Sequence, residues 1–102
     1  MTREISLTVN DTPIKLDYFV AGYLDRVTGG ILGSLKGAGE IKKIKLTIDK
    51  EGQVKIHLNN ANIPLNYFVE EIVRSTVKGM IEPLKGVDKD KALTGLELNI
   101  SR

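Results

Sequence analysis

Leu7-Thr-Val-Asn-Asp-Thr-Pro-Ile-Lys-Leu-Asp-Tyr-Phe-Val20 returns, 49 residues later, as Ile56-His-Leu-Asn-Asn-Ala-Asn-Ile-Pro-Leu-Asn-Tyr-Phe-Val69. Extended without a gap over residues 7–37 and 56–86, the overlay holds ten identical pairs in 31 positions. Ordinary residue frequencies would give about two. After a three-residue slip the match resumes between residues 41–48 and 93–100. The 102-residue chain is therefore expected to be a single domain, 1–102, made of two repeats, 3–49 and 53–102, related by an internal pseudo-twofold. Two copies fall short of the three or more that a solenoid requires, so the halves should close into one core.

Within each copy the local signals agree. Ile5, Leu7 and Val9 alternate with polar residues, the period of a half-buried strand, and Thr12, Ile14 and Leu16 alternate again. Opposing Val9 to Thr12, Leu7 to Ile14 and Ile5 to Leu16 leaves Asn10-Asp11 as a two-residue turn, and both residue types tolerate positive φ. The second copy obeys the same rule, with Asn59-Asn60 as its turn and Val54, Ile56 and Leu58 facing Leu65, Ile63 and Ala61. Asp17 and Asn66 each offer an N-cap oxygen to a helix predicted to run about eighteen residues, to Leu35 and Leu84. Gly37 and Gly86 stand where a left-handed residue closes a helix, and Pro83 marks the second helix's stop.

A broad apolar face is predicted for that helix over Phe68, Val69, Ile72, Val73, Thr76, Val77, Met80, Ile81 and Leu84. The pair Tyr18-Phe19, repeated as Tyr67-Phe68, is assigned to core packing with the phenol reaching the surface. Ile44, Leu46 and Ile48 alternate as a strand. Placing Asp49 opposite Gln53 leaves Lys50-Glu51-Gly52 as a loop with Gly52 left-handed, and Leu96, Leu98 and Ile100 form the last strand after a polar loop at 88–91.

Each copy thus reads strand, turn, strand, helix, strand. The expected fold class is α+β, a two-layer sandwich of a mainly antiparallel sheet with two helices on one face. The predicted strand order is 12–16, 3–9, 93–100, 41–49, 53–59 and 61–65. If the short arms are only extended lead-ins, the duplicated strand–helix–strand gives a ferredoxin-like plait instead.

Fifteen basic and thirteen acidic side chains leave a formal charge of +2, too small to argue for nucleic acid. The chain has no cysteine, which excludes a disulfide framework and thiolate chemistry and fits a cytoplasmic location. No apolar run approaches the length of a membrane span, and no signal-peptide pattern opens the sequence.

Catalytic residue patterns are missing. His57 is the only histidine, with no nucleophile and orienting carboxylate implied near it. The carboxylates show neither paired spacing nor an EF-hand pattern. The glycine-rich run at 29–39 fails both the P-loop and the dinucleotide-binding spacing. The expectation is a non-enzymatic protein with no cofactor and no metal site.

Lys43, Lys45, Lys55 and His57 cluster on the exposed face of one hairpin. Single-strand RNA platforms are also basic sheet faces, but they stack bases on aromatic side chains that this face lacks. It reads either as a solvated face whose lysines discourage aggregation, or as a weak site for an anionic ligand or single-stranded nucleic acid. A small apolar-ligand pocket between helices and sheet is a further alternative.

The repeat provides an internal control. Glu70, Glu71, Arg74, Ser75, Lys78 and Glu82 map onto Ala21, Gly22, Asp25, Arg26, Gly29 and Gly33. Glycine in an exposed helix interior costs about 0.8–1.0 kcal/mol relative to alanine, so Gly22, Gly29, Gly30 and Gly33 together cost on the order of 3 kcal/mol. Ala21, Gly22, Asp25, Gly29 and Gly33 accordingly form a candidate partner-binding groove, a homodimer or another protein being the expected partner. The competing reading is a first helix that bends or frays near residues 28–30. Gly30 and Gly79, kept in both copies, are expected to allow close packing of helix on helix.

The string Ile63-Pro-Leu-Asn-Tyr-Phe-Val69, followed by a helix ending Leu84-Lys-Gly86 and a short strand, resembles small uncharacterised prokaryotic proteins built on one such unit, in which the motif reads roughly I-P-L-N-x-F-V. The resemblance covers nearly all of the chain and implies two units fused in tandem. It implies no activity. Copy one departs from the motif with Lys15 for the proline and Asp17 for the asparagine.

Overall fold

Period-two alternation sorts the strand side chains onto two faces, and only one face is buried. The computed structural model describes residues 4–34, 40–88, 90 and 93–102. In chain order it contains β1 (Glu4–Val9), β2 (Thr12–Ile14), α1 (Tyr18–Gly33), β3 (Lys43–Ile48), β4 (Val54–Leu58), β5 (Ala61–Ile63), α2 (Tyr67–Ile81) and β6 (Leu96–Ser101). The strands form one antiparallel sheet in the order β2-β1-β6-β3-β4-β5, the order expected from the sequence. The short arms pair as strands, which gives the six-stranded form and not the plait.

One row of opposed residues crosses the whole sheet: Ile14, Leu7, Leu98, Leu46, Ile56 and Ile63. Leu7, Leu46, Ile56 and Leu98 in that row are each 2% exposed or less. Because the buried strand residues share one parity, both helices must cover that one face. The Cα extents, 36 × 35 × 18 Å, are those of two layers. The helices contribute Leu24 and Leu32 from α1, and Val73, Val77, Met80 and Ile81 from α2. Burying aliphatic side chains of this size stabilises the fold by about 1.5–3 kcal/mol each.

Corresponding positions of the two copies do corresponding work. Asn10, Asp11, Asn59 and Asn60 all take positive φ, between 50° and 68°, as two-residue hairpins require. Asp17 and Asn66 cap α1 and α2 by accepting from the amides of Val20 and Val69, both at 2.8 Å. Asn10 Oδ1 accepts from the amides of Thr94 and Gly95, at the entry to β6. Asn59 Oδ1 accepts from Lys42 and Lys43, at the entry to β3. Each hairpin turn therefore clamps the return strand of the other half, a physical use for an asparagine found in both copies.

Three boundaries differ from expectation. The arms β2 and β5 stop at Ile14 and Ile63, so Ile5–Leu16 and Val54–Leu65 do not pair. The cap residues Asp17 and Asn66 follow three residues on, and the chain must leave the sheet to reach them. α2 ends at Ile81 because Pro83 has no N–H with which to continue the ladder. Gly86 is left-handed, at φ 91°, but closes a turn beyond the helix instead of capping it. In the loop after β3, Gly52 is left-handed at φ 82° and donates to Asp49 O at 2.9 Å, as the register predicts. The expected cap at Gly37 and part of the 88–91 loop lie outside the described residues.

Candidate functional site

The helix phase is set by what each helix buries. In α1 the buried stripe is Leu24, Asp25, Thr28, Gly29 and Leu32. At 100° per residue, Phe19, Tyr23, Arg26 and Gly30 point directly away from it. In α2 the buried Val73, Val77, Met80 and Ile81 send Phe68, Ile72, Ser75 and Gly79 outward by the same arithmetic.

The outcome overturns the core assignment of the aromatic pairs. Tyr18 is 95% exposed, Phe19 76%, Tyr23 37%, Tyr67 80%, Phe68 70% and Ile72 43%. The chain has three tyrosines, two phenylalanines and no tryptophan, so every aromatic side chain stands on the surface. In the first turn of each helix it is Val20 and Val69 that pack against the core, which leaves Tyr18, Phe19, Tyr67 and Phe68 outside it. Phe19 and Tyr23 stack on one another, one turn apart, with ring centroids 6.3 Å apart and planes 12° from parallel.

The glycines also fall differently from expectation. Gly30 and Gly79 do not mediate packing between the helices: a Cβ at either would meet nothing within 4 Å. Each lies eleven residues after its phenylalanine, and eleven residues return to the same side of a helix within about 20°. Both helices therefore carry, on one outward line, an aromatic projection in the first turn and a bare backbone three turns later. Gly33 extends the bare stretch in α1.

The proposed groove of Ala21, Gly22, Asp25, Gly29 and Gly33 is not a single open surface. Asp25 is 1% exposed, and its Oδ1 accepts from Arg102 Nε at 2.8 Å. The guanidinium also reaches Asp25 O from Nη2, at 3.3 Å. A Cβ on Gly29 would run into Arg102 Nη2. The glycine makes room for this arginine, so Asp25 and Gly29 are occupied by the chain itself. Gly22 lies beside the Arg26 guanidinium, Ala21 is half-buried, and Gly33 is open. α1 is a continuous helix through Thr28, Gly29 and Gly30, which removes the frayed-helix reading.

The second copy solves the same problem with the charges exchanged. Arg74, the counterpart of Asp25, donates from Nε to Gly52 O at 2.7 Å and pairs with Glu70 at 3.1 Å and with Glu71. Both contacts tie a helix midpoint to the end of the sheet beneath it. The asymmetry of the helix face is thus largely scaffolding.

On the opposite side of the sheet, Lys43, Lys45, Lys55 and His57 share one exposed face, as their parity predicts. Lys45 faces His57 on β4 and Asn99 on β6, and its Nζ lies 3.8 Å from Glu97 Oε1. β3 and β4 are interior strands. Lysines there guard no free edge, so discouraging edge-to-edge aggregation does not explain them.

Among the described residues no three His, Asp or Glu side chains gather closely enough to hold a metal ion. No helix among them is long and apolar enough to cross a membrane. Compared with protein-family models, curated proteins and solved structures, the chain matches none.

Proposed function

We propose that this protein is a non-enzymatic assembly module that pairs with a second copy of itself through the outer face of its helix layer. The observation that carries the reading is the placement of all five aromatics on the surface, four of them at least 70% exposed. An exposed phenylalanine forgoes about 1.5–3 kcal/mol of burial, and an exposed apolar patch such as the stacked Phe19 and Tyr23 rings marks an interaction site.

Two arguments favour a second copy as occupant. The first is area. Weighted by their exposure at roughly 200 Å² per side chain, Phe19, Tyr23, Phe68 and Ile72 present about 450 Å² on that face, and Tyr18 and Tyr67, off its outward line in the first turns, bring the total to about 800 Å². That is about what each partner contributes to a standard interface. Either patch alone offers about half of it.

The second argument is self-complementarity. Phe19 with Gly30 and Phe68 with Gly79 give the same projection and hollow at the same spacing. Antiparallel apposition of two such faces across a twofold seats each ring over a bare backbone, an isologous arrangement. The glycine cost on the outer line is offset by this close approach.

The test is hydroxyl-radical footprinting of the wild type across a concentration series. Rings at Tyr18, Phe19, Tyr67 and Phe68 should lose reactivity together as the protein rises from about 1 to about 100 µM, the range in which a micromolar complex forms. Unchanged labelling of these four rings over that range contradicts the proposal.

A further inference from the structure

Aligning the halves on the sheet face, away from the helices, shows a contrast that scaffolding does not require. Lys43 and Lys45 correspond to Gly95 and Glu97, and Lys55 and His57 correspond to Ser6 and Thr8. Four positions that are cationic or imidazole in one half are small, polar or acidic in the other, on equivalent strands of one sheet. Since the same strand scaffold forms with either set, the basic cluster is not a requirement of folding. Like charges gathered on adjacent strands weaken a sheet, and Glu97 lies near only one of these lysines among the described residues.

The cluster also has a shape. Opposed residues form two polar rows, Glu4–Ser101–Lys43 and Ser6–Asn99–Lys45–His57. Ser6, Asn99 and Ser101 are short, whereas Lys43, Lys45 and His57 stand along one side. Between them lies an open basin of about 580 Å³ over the central strands β1, β6 and β3. Lys55 lies outside its lining. The volume falls within the range of about 300–1,000 Å³ found for small-molecule sites.

We propose that this basin binds a small oxyanion ligand bearing at least two negative charges, of nucleotide size or smaller. The ammonium groups of Lys43 and Lys45 take the charge. The hydroxyls of Ser6 and Ser101 and the His57 ring supply directional hydrogen bonds around it. A continuous nucleic-acid strand fits less well. Glu4 borders the basin and Glu97 lies beside Lys45, where they repel neighbouring phosphates, and the face offers no ring for base stacking. This site is on the face opposite the helices, so it stands or falls independently of self-association.

An amide NMR titration with sodium pyrophosphate at fixed ionic strength tests it. Shifts at residues 43–45, 57 and 99–101 should saturate together, and Lys43→Gln/Lys45→Gln should weaken the apparent affinity by at least about tenfold, the loss of two charge-assisted contacts. That variant should keep or slightly raise the wild-type unfolding midpoint, because both lysines are exposed and their mutual repulsion is removed. A parallel titration with citrate separates the sources of charge. Tighter pyrophosphate binding marks the ligand as phosphate-bearing, and equal binding marks it as any polyanion. Shifts that never saturate, or that spread equally to lysines elsewhere, overturn the proposal. So does a single-stranded oligonucleotide that binds more tightly than pyrophosphate with a steep salt dependence, since that would make the face a nucleic-acid site.

Discussion

The two faces of this molecule treat the internal repeat in opposite ways. On the outer helix face the halves agree at Tyr18 and Tyr67, Phe19 and Phe68, and Gly30 and Gly79, none of which serves the core, and differ at Tyr23 and Ile72 and at Arg26 and Ser75. On the open sheet face they disagree, with Lys43, Lys45, Lys55 and His57 set against Gly95, Glu97, Ser6 and Thr8. Agreement at exposed, costly positions points to a task performed by both halves at once, which a symmetric partner would use. Disagreement on a shared scaffold points to a task performed by one. Identity between copies is informative only after burial is known, because buried pairs agree for reasons of packing.

The largest expected effect comes from removing what the helix faces share. Phe19→Ser/Phe68→Ser should weaken self-association by at least about a thousandfold, since central aromatic anchors are each worth about 2 kcal/mol or more. Its unfolding midpoint should stay near that of the wild type, because neither ring packs in the core. A large fall in thermal stability would show that these rings support the fold and break the comparison at its strongest point.

The hairpin clamps should respond equally, whichever half is struck. Asn10→Ala and Asn59→Ala each lose side-chain hydrogen bonds to two backbone amides and put at positive φ a residue that tolerates it less well than asparagine. Each should cost about 2–3 kcal/mol in denaturant unfolding. A cost confined to one half would show that the return strands are held differently.

Adjacent glycines provide the smallest and sharpest contrast. Gly30→Ala meets no neighbour, so the monomer should gain about 0.8–1.0 kcal/mol of helix propensity while the dimer weakens as the hollow fills. Gly29→Ala has the same propensity gain but requires the Arg102 guanidinium, the free end of a flexible side chain, to shift beside Asp25. With Arg102 30% exposed that adjustment costs little, and it offsets only part of the gain. The unfolding midpoint should therefore rise more for Gly30→Ala than for Gly29→Ala.

Strand order, register and hairpin turns were legible because each follows from local rules. Parity fixes which residues face the core, Asn-Asp and Asn-Asn fix the turns, and the repeat fixes the rest. The expectation for the helix surface fails because the nine positions from Phe68 to Leu84, the last of them beyond α2, do not form one buried face. A helix lying on a sheet buries a narrower stripe, and phasing on Val73, Val77 and Ile81 alone would have placed Phe68 and Ile72 outside.

Arg102 and Asp25 lie 77 positions apart, and nothing local announces their contact. Gly29, which makes room for the contact, therefore reads in the sequence as part of a vacant groove. The basic cluster was found by parity, but its location on interior strands, which changes its meaning, needed the strand order.

The central claim, that the outer helix face is an interface between copies, is tested most directly by the mass of the wild type in solution. Sedimentation equilibrium at about 100 µM, well above a micromolar dissociation constant, should return twice the 11.2 kDa of the single chain. A mass of one chain, constant up to that concentration, would contradict it.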